Sequence, residues 1–288
     1  MAKGLFTQCL CLLLDAAPAN AAIEACVPGL VPQPGGHPEW MSWTQSWWLP
    51  APELGDQARL VLDVIPRPWP DDCGEADQPA LFGAWCLGYL GPLTFPGGLQ
   101  RALRHSTLSF QHGAVLQLKA SYALGSDEEA SLLPHDYRPR AELEFMQGIL
   151  RSLASLPQVG AYYNPAGEVL LSRRDWLQQE GLPLWVGTHC FATDRSQIAT
   201  TVGMEQFDLL DQQAEVSDLI SMDSLRDFVM QRAAALWQAE GRLDGSAVEG
   251  LGLRWCARQD ESVGPRPRTS CCWSPEKIRR RGWFGLGG

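Results

Sequence analysis

The residues best placed to do chemistry lie in one stiff loop. Arg67, Trp69, Asp71 and Asp72 combine a forked donor, an aromatic ring and two carboxylates on a segment carrying four prolines, Ile65 to Pro79. Proline fixes φ and removes a backbone donor, so this stretch cannot continue a sheet or helix and holds its side chains in a loop. Such a set suits a cationic group or a partner side chain, because Arg and Trp dominate binding hot spots. The plainer alternative is an internal Asp–Arg pair with Trp69 covering the core. Trp40, Trp43, Trp47 and Trp48 form a second aromatic cluster that either stacks a ligand or packs the interior.

The remaining nucleophiles and bases do not assemble into a known pattern. His189 and Cys190 are neighbours on an expected strand, so their side chains point to opposite faces and form no dyad. His105 and His112 flank a turn, without the nearby carboxylate a metal pair needs. No H-E-x-x-H, G-x-S-x-G or phosphate-cradling glycine loop followed by a helix occurs. We therefore expect no catalytic set, no metal and no cofactor. The alternative is an enzyme of unknown class whose dispersed carboxylate and histidine residues converge in space, with Glu142, Glu144 and Asp194 as carboxylates.

Composition narrows the partner. The chain has 288 residues, 45% apolar and 19% charged, with net charge −10. That length suits one large or two small domains and a core that needs no staples. From Arg254 onward eight basic residues face three acidic ones, leaving 15 basic and 30 acidic in the rest: a body of −15 and a tail of +5. An acidic body excludes a general nucleic-acid binder and favours a partner with a basic surface. Arg279, Arg280 and Arg281 beside Trp283 and Phe284 resemble a short surface anchor, although a flexible tail explains them as well. The nine cysteines are odd in number and irregularly spaced, which fits reduced thiols in a cytoplasmic protein. The opening segment imitates a signal peptide, but Thr7, Gln8 and Asp15 bound its apolar run. A buried strand over Leu5 to Leu14 is the better reading. No run reaches the roughly 18 apolar residues of a membrane span.

The elements that must position these residues follow from periodicity. Strands are expected over Arg59–Ile65, Gly113–Tyr122, Leu184–Phe191, Gln197–Met204 and Gly252–Ala257, with a hairpin around Asn164–Gly167. Helices are expected over 21–26, from Gly98, over 140–156, and from a cap at Asp223 or Ser224. Strands follow strands and βαβ alternation is absent. The fold class is therefore α+β, antiparallel sheets with helices packed on one face. The opening strand-helix-strand-strand order partly recurs after Gly113, as two related halves would show. We divide the chain into an N-terminal half (1–125), a C-terminal half (126–260) and a basic flexible tail (261–288).

The segments DVIPRPWPDD, LFGAWCLGYLGPLTFPGGLQRA, ELEF, YYNPAGEVL, LPLWVGTHCF and TTVGMEQFDLLD, in that order, resemble the bacterial domain-of-unknown-function family numbered 4261. The resemblance runs from about Met1 to Arg258 and is best defined after Gly160. It implies a cytoplasmic bacterial protein with an accessory or immunity role beside a secreted toxin, and brings no established activity. Relatives would carry a GHFGPF-like stretch where this chain reads Gly88-Tyr89-Leu90-Gly91-Pro92-Leu93, so a histidine is missing here.

Overall fold

In the computed structural model, the residues described are 5–33, 45–69, 97–106, 108, 110–124, 133–217, 220–242, 247–263 and 269–276. Asp71, Asp72, Trp40, Trp43, the acidic loop 126–129 and the Arg279–Phe284 segment lie outside them. The chain divides into two compact units: Met1–Gly187 with Val202–Leu209, and Thr188–Thr201 with Leu210–Gly288.

The first unit is built on a seven-stranded antiparallel sheet in the order β2-β3-β4-β5-β1-β6-β7. Its strands are β1 Gln8–Leu14, β2 Val31–Pro32, β3 Gln45–Pro50, β4 Arg59–Ile65, β5 Ala114–Ser121, β6 Val159–Asn164 and β7 Val169–Ser172. The opening strand sits near the middle, between β5 and β6, and is buried at every position. This explains its near-continuous apolar run: a strand covered on both faces has no solvent side to mark with polar residues. On one face Leu10, Leu12 and Leu14 lie opposite Leu118, Leu116 and Ala114. On the other, Cys9, Cys11 and Leu13 join Val61, Ile65, Val115 and Tyr163 in one buried cluster. The sheet draws β1 to β5 from the expected N-terminal half and β6 and β7 from beyond residue 126.

Helices α1 (Asn20–Cys26), α2 (Gly98–Arg104), α3 (Pro139–Ser152) and α4 (Arg173–Gln178) surround this sheet. Leu143, Met146 and Leu150 fall on one stripe of α3, are fully buried, and hold the helix against β1 and β5. Each such side chain contributes about 1.5–3 kcal/mol of burial free energy. Glu142 is buried in the first turn of α3. It accepts hydrogen bonds from Thr7 Oγ1 (2.6 Å) and the Tyr137 hydroxyl (2.7 Å), so its charge is solvated by protein hydroxyls. Burial, and then the Glu142 charge, push the Tyr137 phenol far above its ordinary range, which keeps it a donor.

The second unit carries a six-stranded sheet in the order β11-β12-β13-β10-β9-β8. These strands are β8 Gly187–Ala192, β9 Gln197–Val202, β10 Asp211–Val216, β11 Ala247–Gly250, β12 Leu253–Glu261 and β13 Thr269–Pro275. β10 and β13 run parallel, so the expected antiparallel arrangement holds for the first sheet and is mixed in the second. Helix α5 (Met222–Gln238) buries Leu225, Phe228 and Val229 against Ala199, Ala214, Trp255 and Trp273. Its N-cap is Ser221, whose hydroxyl accepts from the Ser224 N–H; the expected caps Asp223 and Ser224 fall inside the first turn. The fold class is α+β.

Candidate functional site

Of the loop residues singled out by sequence, Trp69 and Arg67 are described. Trp69 is buried, packs edge-on against Tyr163 at 5.2 Å, and belongs to the Cys9–Leu13 face of the first sheet. Arg67 is half-buried. The ring of Trp69 therefore covers the core, and it also forms a wall of a pocket of about 420 Å³. The pocket lies between α2 with the segment after it and the ends of β1 and β7. Leu13, Leu99, Leu103, Leu108, Leu170 and Phe110 form its apolar lining, and Gln100, Gln111 and His112 its polar one. A mostly apolar concavity with a few polar groups is the usual form of a small-ligand site.

His112 is held by its surroundings. Its Nε2 accepts the Trp69 backbone N–H at 2.8 Å, and its ring stacks on Phe110 at 6.3 Å. An accepting Nε2 leaves the proton on Nδ1, and burial lowers the imidazole below its ordinary value of 6.5, keeping it neutral. His105 is the exposed C-cap of α2 and forms no pair with this acceptor nitrogen. Among the described residues no group of three or more His, Cys, Asp and Glu could hold a metal ion.

The lowered His112 value sets a pH dependence. The unfolded chain binds the proton at higher pH than the folded one, so His112 contributes stability that is intact above pH 6.5 and is lost as pH falls through the folded value. His112→Gln keeps an acceptor for Trp69 without the titration. In urea melts between pH 8 and pH 5, wild type should lose more stability on acidification than the variant. Parallel pH profiles would contradict this.

α2 is anchored by Arg101, which grips Glu168 with two hydrogen bonds of 2.8 and 2.6 Å; the Glu168 carboxylate is fully buried. Glu168 adopts a left-handed backbone (φ 51°) at the end of the β6–β7 turn, so the bidentate pair ties a strained turn to the pocket wall. Around that turn the chain approaches itself closely. Asn164 donates to Gln206 Oε1 at 3.0 Å, and Gln206 donates to the Trp185 carbonyl at 2.7 Å and the Gly203 carbonyl at 2.9 Å. Gly167, Gly187 and Gly203 meet there, and a Cβ on any of them would overlap backbone atoms of the others or of Trp185. The segments YYNPAGEVL, LPLWVGTHCF and TTVGMEQF thus converge on a packed junction.

One cluster escaped sequence reasoning. Lys119 and Asp63, on β5 and β4, form an ion pair of 2.7 Å with both side chains almost wholly buried. Asp63 Oδ1 also accepts the Ser46 hydroxyl, and Lys119 Nζ lies 4.3 Å from the centre of the Phe6 ring. Cys9 and Cys11 share this face with their sulfurs 3.9 Å apart, and burial pushes the Cys11 thiol well up. The signal was present in Asp63, Gln117 and Lys119, which sit at matching alternations of β4 and β5, but it reads equally as a solvent face.

The other candidates are accounted for locally. Trp47 is buried and donates its indole N–H to Glu24 at 3.0 Å, while Trp48 packs partly buried against the core. Cys190 packs with the α5 core and its thiol is pushed up by burial, whereas its neighbour His189 faces away from that cluster. Cys271 and Cys272 point to opposite faces of β13, and burial raises the Cys271 thiol to about 11, so it is no thiolate at neutral pH. Glu144 is exposed and pairs with Arg140 at 2.9 Å. Asp194 belongs to the exposed β8–β9 turn of the second unit. No helix among the described residues is long and apolar enough to cross a membrane. The chain matches no protein-family model, no curated protein and no solved structure. What the fold defines is an α+β protein with two sheets and a pocket beside the first.

Proposed function

We propose that this is a cytoplasmic binding protein that docks a basic protein partner through its acidic surface. One observation carries the reading: the buried carboxylates described in the first unit are each taken up by groups inside the fold. Asp63 holds Lys119, Glu168 holds Arg101, and Glu142 holds hydroxyls of Thr7 and Tyr137. General acid–base or nucleophilic work needs a group free to exchange a proton with substrate. The chain as a whole carries a net charge of −10. Such a field steers a cationic partner and speeds its docking. Seven described cysteines are free thiols, which supports a reducing compartment. The resemblance described above supports an accessory or immunity role beside a secreted toxin.

The full chain, immobilised and exposed to native lysate at low salt, should retain proteins of basic isoelectric point and release them at about 0.5 M salt, where the Debye length shortens to a few ångströms. The double variant Asp71→Lys/Asp72→Lys should recover at least tenfold less of the same protein. Equal recovery would remove those two carboxylates from the docking surface. Retention that survives high salt would contradict electrostatic docking.

A further inference from the structure

The pocket beside α2 has a chemistry of its own, independent of the docking reading. Five of its lining side chains are leucines, a wall that suits a flexible alkyl chain. Its volume of about 420 Å³ falls within the common range of small-ligand sites, roughly 300–1,000 Å³. The polar end is defined by His112. With Nε2 occupied by the Trp69 N–H, the imidazole presents Nδ1–H, which has no protein partner among the described residues and is not a buried atom. His112, one of the lining residues, is therefore a fixed, neutral hydrogen-bond donor.

The same helix that lines the pocket carries a free cation. Arg104 is exposed and has no ion-pair partner among the described residues, unlike Arg101, which is clamped on Glu168. It lies four residues from Gln100 and next to Leu103, both in the lining, so it stands one helical turn along α2 from a lining residue. Its guanidinium complements a carboxylate in fork geometry. A cationic head would meet Arg104 with like charge, and an uncharged head would forgo it.

We propose that this pocket binds a medium-chain alkyl carboxylate, with the chain among Leu13, Leu99, Leu103, Leu108 and Leu170 and the head group between His112 Nδ1–H and Arg104. Burial of the chain makes affinity rise about fourfold per methylene until the pocket is full.

The test is calorimetric titration of the full chain with octanoate, decanoate and dodecanoate below their micelle concentrations, with decanol and decyltrimethylammonium as head-group controls. One saturable site is expected, tightening about fourfold per methylene from octanoate to decanoate. Arg104→Glu, at an exposed position, should weaken decanoate at least fivefold and leave decanol unchanged. Leu103→Trp, which fills the pocket, should weaken both at least tenfold while its thermal melt stays cooperative; should that variant not fold, the Arg104→Glu comparison decides alone. The proposal is overturned by the absence of a saturable site, by decyltrimethylammonium binding as tightly as decanoate, or by Arg104→Glu leaving decanoate affinity unchanged.

Discussion

Lys119→Met should lower the unfolding free energy by about 3–5 kcal/mol, because it strands the Asp63 carboxylate in the sheet interior without its cation. The ion pair is buried at 1% and 2% side-chain exposure, so neither charge can turn to water for compensation. Ser46 alone would remain beside Asp63, and one hydroxyl does not replace an ammonium. Urea denaturation followed by tryptophan fluorescence gives the number. The double variant Lys119→Met/Asp63→Leu removes both charges and should return to within about 1–2 kcal/mol of wild type, since a buried pair is often replaceable by apolar residues of similar volume. A single variant within 0.5 kcal/mol of wild type would mean that water reaches this face, and the two-sided burial of the sheet would be wrong.

Gly167→Ala should be at least as damaging, by more than about 3 kcal/mol or to the point of insolubility. The added methyl would overlap the Trp185 carbonyl, and both collision partners are backbone, so no rotamer change relieves it. Gly203, at φ 112°, is packed into the same place: a Cβ there would come within 2.7 Å of Gly167 Cα and of the Trp185 carbonyl oxygen. Both glycines therefore crowd the same Trp185 carbonyl. Gly148→Ala is the control with opposite sign. Gly148 is exposed within α3 and an added Cβ meets nothing within 4 Å, so alanine should stabilise by about 0.5–1 kcal/mol. Thermal melts of the two variants side by side test this; equal behaviour would show that the Asn164–Gln206 junction is looser than its geometry implies.

The elements around these two sites were readable in the sequence. β1, β4, β5, the 160–171 hairpin and the amphipathic helix α3 are legible because apolar periodicity reports burial directly. β10 was missed because Asp-Gln-Gln-Ala-Glu-Val looks soluble. Its buried amides are satisfied by partners distant in sequence: Gln212 accepts from Trp273 Nε1 at 3.0 Å, and Gln213 accepts from the Val263 N–H at 2.8 Å. β13 lies in the stretch expected to be a loose basic tail, yet Trp273 and Ser270 are buried in the sheet. A short strand that depends on a parallel neighbour leaves little periodic trace. The pocket was half legible. Trp69 was singled out for its type, whereas α2 and the 108–112 segment that complete the wall are brought to it only by the fold. The ion pair was illegible for a physical reason: alternating polar residues describe a solvent face and a satisfied buried face equally well.

Cysteine protection tests the two-sided burial most directly. Cys9 and Cys11 lie on the face that carries Lys119 and Asp63, and both are at most 2% exposed, whereas Cys26 is only partly buried. With native full-length protein, timed maleimide labelling read by peptide mass spectrometry should modify Cys26 early. Cys9 and Cys11 should react only at the rate of global unfolding, with an opening free energy equal to that from urea melts. Labelling of Cys9 or Cys11 as fast as Cys26 would place that face in water and contradict the account.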